Sequence, residues 1–209
     1  MKSIDLKTWP RRSQYAFFRN VAQPHFSLTS NVDATYLMVT LKPAGVSVFN
    51  ATLFAIVGAA NAVAALRMRF RAQRVIEHQI VHASVTVPIA DDAFGFCDIE
   101  YTPDWREFDG RCTHAVARAK RQTELRDDVA HLDNWLYMSC LPWVDFTSMT
   151  NPVDGADDCV PRITWGKITQ HGDTWRLPVA IQVHHALVDG LHLGRFYEAL
   201  QQRLSMPLA

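Results

Sequence analysis

Ten residues near the C-terminus, Gln182 to Leu191, read QVHHALVDGL and hold the side chains best suited to chemistry. An imidazole titrates near neutral pH, so it can take up and release a proton under working conditions. Two adjacent histidines, His184 and His185, close an apolar, β-branched run from Leu177 to Val183. Neighbouring side chains on a strand point to opposite faces, so only one of the two can enter a given cleft. Asp189 and Gly190 follow where a turn hands over to a helix expected from Leu191 to Leu204, and Asp is a favoured cap there. The pattern is a strand delivering one imidazole, with a carboxylate held just behind it. Taken singly, a histidine at a strand end is most often structural, and Asp-Gly is most often a cap and turn.

The elements that must position this segment follow from periodicity. Helices are expected at about Pro10 to Val21, Phe49 to Leu66 and Asp104 to Leu125, where Trp105, Phe108, Cys112, Ala115 and Ala119 fall on roughly one face. Strands are expected at Val75 to Ile80, Ser84 to Ile89, Phe94 to Tyr101, Trp135 to Phe146, Ile163 to Gln170 and Trp175 to His184. This reads as one α/β domain over residues 1–209, a two-layer sandwich of mixed sheet with helices on one face.

Composition excludes several classes of function. The chain has 209 residues, 48% hydrophobic and 20% charged, enough for one well-filled core. Lys plus Arg and Asp plus Glu both number 21, so no global field draws nucleic acid or an anionic membrane. Cys97, Cys112, Cys140 and Cys159 lack metal-ligand spacing, and MKSIDLKTWPRR lacks the apolar core of a signal peptide. The expectations are therefore reduced thiols, no metal and a cytoplasmic location. Val46 to Leu66 is long enough to span a membrane but carries Ser47, Asn50, Thr52 and Asn61, which favours a buried helix.

The joint pattern H-H-x-x-x-D-G resembles the signature of the chloramphenicol acetyltransferase family and of the related acyltransferase domains of 2-oxoacid dehydrogenase complexes. TWPRRSQYAFFRN, FSLTSNVDAT, LRMRF, SCLPWVDFTS and ITWGK, followed by HGDTWRLPVAIQVHH, extend the resemblance in the expected order. The Trp-x-Arg opening and the Leu-Pro-Trp segment favour the antibiotic-type branch. The resemblance implies transfer of acetyl from acetyl-CoA, a co-substrate rather than a tightly bound cofactor, to a hydroxylated small molecule, with chloramphenicol as the first candidate. It also implies a homotrimer with active sites between subunits.

Roles carry over residue by residue. His185 maps onto the general base and His184 onto its structural neighbour. Ser139 maps onto the hydroxyl that stabilises the oxyanion, and Thr164 onto a threonine holding the same intermediate through water. The resemblance pairs Asp189 with Arg11 as an architectural ion pair. Trp143 and Lys167 map onto coenzyme contacts, whereas Ile168 and Val48 replace an aromatic and a lysine there. Phe18, Phe26 and Phe94 map onto the acceptor pocket and keep its apolar character. Arg126, Met149, Asn151 and Arg162 map onto the same pocket and depart from the family pattern.

Arginines in a pocket cost desolvation energy unless an acceptor or a carboxylate satisfies them. Three readings stay open: acetylation of chloramphenicol, the same chemistry on a more polar alcohol or amine, and a non-catalytic protein that sequesters a ligand.

Overall fold

The computed structural model describes residues 1–90, 92–129 and 131–208. Its strands are β1 (Lys2–Ile4), β2 (His25–Asp33), β3 (Met68–Arg71), β4 (Arg74–Glu77), β5 (His82–Pro88), β6 (Phe94–Ile99), β7 (Trp135–Cys140), β8 (Arg162–Trp165), β9 (Thr169–His171) and β10 (Thr174–His184). Its α-helices are α1 (Arg12–Phe18), α2 (Val48–Ala62), α3 (Trp105–Ala119) and α4 (Gly190–Leu204).

Alternation of side chains builds the main sheet, whose order is β2-β10-β8-β7-β5-β6 with β9 beside β10. β7 runs parallel to β5 and β8, and the other neighbours are antiparallel, so the sheet is mixed. On one face Cys97, Val85, Met138, Ile163 and Ile181 are buried. The helices form a layer in which α2 packs on β5, α3 on β6 and α4 on β2, with α2 touching both others. α2 is buried continuously from Asn50 to Ala60, as expected of a helix that is apolar all round. No helix among the described residues is long and apolar enough to cross a membrane.

The opposite face is polar, and register orders it into two rows. Phe96, Thr86, Ser139, Thr164, Ala180 and Thr29 pair in succession across six strands. Two residues away along each strand, Asp98, Ser84, Tyr137, Arg162, Gln182 and Ser27 do the same.

Several boundaries differ from the expectation for local reasons. α2 stops at Ala62 because the chain tightens into a 3-10 turn, Ala64–Arg67. α3 ends at Ala119, well before Leu125. β7 ends at Cys140, where Pro142 two residues on cannot supply a ladder N–H. β8 ends at Trp165, and Gly166 just beyond it lies against neighbouring chain: an added Cβ would sit 2.6 Å from the Val144 carbonyl and 2.8 Å from Pro178. A second antiparallel sheet, β1-β4-β3, was outside the expected elements except for part of β4. It joins the main body through Arg69, whose fully buried guanidinium donates to the carbonyls of Leu66, Met68, Asp133 and Trp135 at 2.7–3.0 Å.

Candidate active site

β10 ends at His184 and the chain then turns into α4, so the two imidazoles part company there. His184 is 2% exposed, with its ring edge-on to Phe70 and His25. The Ala186 N–H donates to Nδ1 (3.1 Å), which places the proton on Nε2, and Nε2 donates to the Ala156 carbonyl (2.9 Å). The neutral ring thus satisfies both partners, and burial lowers its pKa to about 4.

His185 is partly exposed, stacked on Phe18 (centroids 3.9 Å) and tilted against Phe26 (4.7 Å). Its Nδ1 lies 3.0 Å from the Val188 carbonyl. A carbonyl only accepts, so Nδ1 carries the proton and Nε2 keeps its lone pair. Among the described residues, Nε2 has no hydrogen-bond partner. Its backbone N–H is tied to the Pro24 carbonyl (2.9 Å), which fixes the ring's origin beside β2.

Asp189 caps α4 by accepting the N–H groups of Leu191 (3.1 Å) and His192 (3.4 Å), while its own N–H donates to the His192 Nδ1 (3.1 Å). Its second oxygen accepts from Arg11, and the Arg11 guanidinium also reaches the His185 carbonyl (3.4 Å). Burial opposes ionisation of Asp189, but the Arg11 hydrogen bond and nearby positive charge outweigh it and hold the carboxyl below its ordinary pKa. The ion pair therefore grips the turn that carries His185.

Ser139 and Thr164 lie elsewhere, side by side in one row of the polar face. The Ser139 hydroxyl is 3.2 Å from that of Thr86, and both line a cavity of about 680 Å³ together with Ser84, Tyr137, Asn151 and Arg162. Ala180 shares this row, and His185 stands five residues further along. At about 3.3 Å per residue and about 4.8 Å per strand spacing, His185 and Ser139 of one chain are roughly 19 Å apart. Side-chain reach does not close that gap. Neither His185 nor Phe18 nor Phe26 lines the cavity.

The arginine in this wall is already satisfied. Arg162 forms an ion pair with Asp158, donates to the Val160 carbonyl (3.0 Å) and lies over the Tyr137 ring at 5.5 Å. Burial opposes the Asp158 charge, yet Arg162 and the N–H groups of Asp154 and Val160 hold its pKa below the ordinary value. Arg126 is exposed and outside the cavity lining.

The other residues singled out from sequence fall in separate places. Trp143 is 66% exposed on the turn after β7, and Lys167 is exposed on the segment that abuts it through its N–H to the Val144 carbonyl (2.8 Å). Ile168 follows Lys167, and Val48 opens α2. Met149 contributes its carbonyl to the Ser27 hydroxyl (2.6 Å). Phe94 packs on Phe96 at the β6 edge, across the whole sheet from Phe18 and Phe26. Sequence reasoning passed over Thr86, His192, Asp158 and the side chain of Gln182. Only Gln182 and His192 carried a signal, through their closeness to the histidine pair.

Known proteins resemble this chain in sequence and fold. A family model described as chloramphenicol acetyltransferase matches residues 1–201. Chloramphenicol acetyltransferase 3 of Escherichia coli is 33% identical over 201 residues, covering 95% of this chain and 94% of that protein. A solved chloramphenicol acetyltransferase structure has a TM-score of 0.86 at 26% identity, covering 96% of this chain and 98% of its own. Dihydrolipoamide acetyltransferase of Azotobacter vinelandii shares the fold alone, with a TM-score of 0.67 at 18% identity over 93% of this chain and 86% of that one.

Proposed function

The chain belongs to the chloramphenicol acetyltransferase family and is an acyltransferase, and from that premise we propose that it moves acetyl from acetyl-CoA to an alcohol with His185 as general base. One observation carries this reading: the Val188 carbonyl fixes the His185 tautomer, leaving Nε2 a free lone pair beside two phenylalanines. His185 takes the hydroxyl proton as the oxygen attacks the thioester carbonyl; collapse breaks the C–S bond, and the proton passes to the departing thiolate. Ser139 donates to the oxyanion, a contact worth about 3–4 kcal/mol in such sites, and Thr164 supports it. Arg11 and Asp189 fix the turn, and Trp143 and Lys167 receive coenzyme A, the lysine as a point charge for phosphate. Phe18, Phe26, Phe94, Met149 and Asn151 belong to the acceptor side.

The separation of His185 from Ser139 supports a site built from two copies of the chain. In our reading a homotrimer brings His185 of one subunit to the Ser139 cavity of the next, covering the polar face that the helices leave open. Mixing His185→Ala with Ser139→Ala protein tests this, with thiol release from acetyl-CoA as the readout and chloramphenicol as acceptor. Each variant alone is expected to be nearly inactive. Unfolded and refolded together, they should regain up to about a quarter of wild-type activity, because one interface in four then holds both residues intact. A mixture as inactive as its components would rule out a shared site.

The second reading is the same reaction on a more polar acceptor. It is favoured by the cavity wall, where Ser84, Thr86, Tyr137, Ser139 and Asn151 supply hydrogen-bonding groups.

A further inference from the structure

Gln182 stands two residues before His184 on β10 and is 7% exposed, so its amide must find partners within the protein. It finds them on the backbone of a single residue. The Asn151 N–H donates to the Gln182 Oε1 (2.6 Å), and the Gln182 Nε2 donates to the Asn151 carbonyl (3.1 Å). The side chain thereby replaces a neighbouring strand, docking the chain at Asn151 onto the polar face by a two-point contact. The next residues are held as well, by His184 at Ala156 and by His25 at Asp158 (2.6 Å).

With its backbone fixed, the side chain of Asn151 has one further constraint. Thr164 is 0% exposed, and its hydroxyl donates to the Asn151 Oδ1 (3.3 Å). With the Asn151 oxygen facing the sheet at this contact, the NH2 group keeps both hydrogens. Among the described residues those hydrogens have no acceptor, although Asn151 lines the cavity. Two other donors in the wall are taken, while the Ser139 and Tyr137 hydroxyls stay open beside the Asn151 amide. Arg162 is bound to Asp158 and Val160, and the Ser84 hydroxyl donates to Asp98 (2.6 Å).

We propose that Gln182 is a positioning residue that, together with Thr164, aims the Asn151 amide into the Ser139 cavity, making Asn151 the determinant that selects oxygen-rich, polyhydroxylated acceptors over apolar ones. This rests on the reading that the Ser139 cavity receives the acceptor. An acceptor oxygen at Asn151 satisfies a donor that an apolar ring would leave stranded once water is excluded. The effect belongs to binding of the acceptor, not to the proton transfer at His185.

Two probes that present the same hydroxymethyl group on a six-membered ring test it: methyl glucopyranoside and cyclohexylmethanol, with chloramphenicol run in parallel. Wild-type protein should prefer the glucoside in kcat/KM by at least about tenfold. Asn151→Leu should bring the ratio near one through a higher KM for the glucoside. Gln182→Met, which keeps the shape but removes both amide contacts, should shift the ratio the same way, and the double variant no further. If Gln182→Met fails to fold, Asn151→Leu and Asn151→Asp still decide, since the aspartate loses the donor at constant volume. Turnover of chloramphenicol with no preference for the glucoside, or with a preference that Asn151→Leu leaves intact, overturns the inference and spares the acetyl-transfer reading. No thiol release with any acceptor, chloramphenicol included, overturns both.

Discussion

The strand end at His185 and the polar sheet face at Ser139 are built on opposite principles. At His185 every neighbour is committed: a carbonyl fixes the tautomer, two aromatic rings fix the plane, and an ion pair grips the turn. At Ser139 the neighbours are short polar side chains set in register around an open cavity. On the proposed reading, the difference separates the base, which must be constant in an acyl transfer, from a face where acceptor contacts such as Asn151 can vary around Ser139. Substitutions at the strand end should therefore damage rate or folding, whereas on the sheet face those that spare Ser139 and the Arg162–Asp158 pair should redistribute preference.

Loss of the proposed base should have the largest effect. His185→Ala is expected to lower kcat by roughly two to four powers of ten while leaving the circular dichroism spectrum and melting temperature near wild type. A well-folded His184→Ala variant with the same loss would assign the base to the wrong ring.

Next in size, Arg162→Val should destabilise the protein by about 3–5 kcal/mol in denaturant titration, because it strands a buried Asp158 carboxylate. Adding Asp158→Asn should recover much of that loss. Sequence alone left open whether an arginine on this wall meets an acceptor or a carboxylate. Asp158 is the carboxylate that resolves the cost.

The pH dependence of stability separates His184 from the carboxylates. Its pKa is about 4 in the folded chain and near 6.5 when unfolded, so the unfolded state binds the extra proton first. Stability is whole above pH 6.5 and falls by roughly 3 kcal/mol on the way to pH 4. His184→Gln should flatten the stability profile between pH 6.5 and 5. An unchanged slope there would mean that another group controls it.

The smallest effect concerns coupling at the turn. Arg11→Ala and Asp189→Asn should each reduce activity, and a double-mutant cycle should give a coupling of about 1–3 kcal/mol in transition-state stabilisation. Strict additivity would deny that the two act as a unit.

How much of this was legible in the sequence depended on distance along the chain. The turn from His184 to Asp189 could be read because its partners lie within a few residues, and the capping aspartate announces the helix. The layers were legible from periodicity: β6 buries Gly95, Cys97 and Ile99 and turns Phe94, Phe96 and Asp98 outward. The rows of the polar face were not, because they depend on register among six strands, which no local pattern specifies. Gln182 was in plain view, but its partner Asn151 is 31 residues away. Arg162 and Asp158 are four residues apart, yet their pairing depends on how the chain enters β8.

The buried guanidinium of Arg69 makes two distant stretches of the chain depend on each other. Its acceptors come from two distant stretches, Leu66 and Met68 on one side and Asp133 and Trp135 on the other. Until both stretches meet, the charge stays hydrated, and burying it early would be unfavourable. The small sheet and the start of β7 therefore bury this charge jointly, and displacing either stretch would leave the guanidinium short of acceptors.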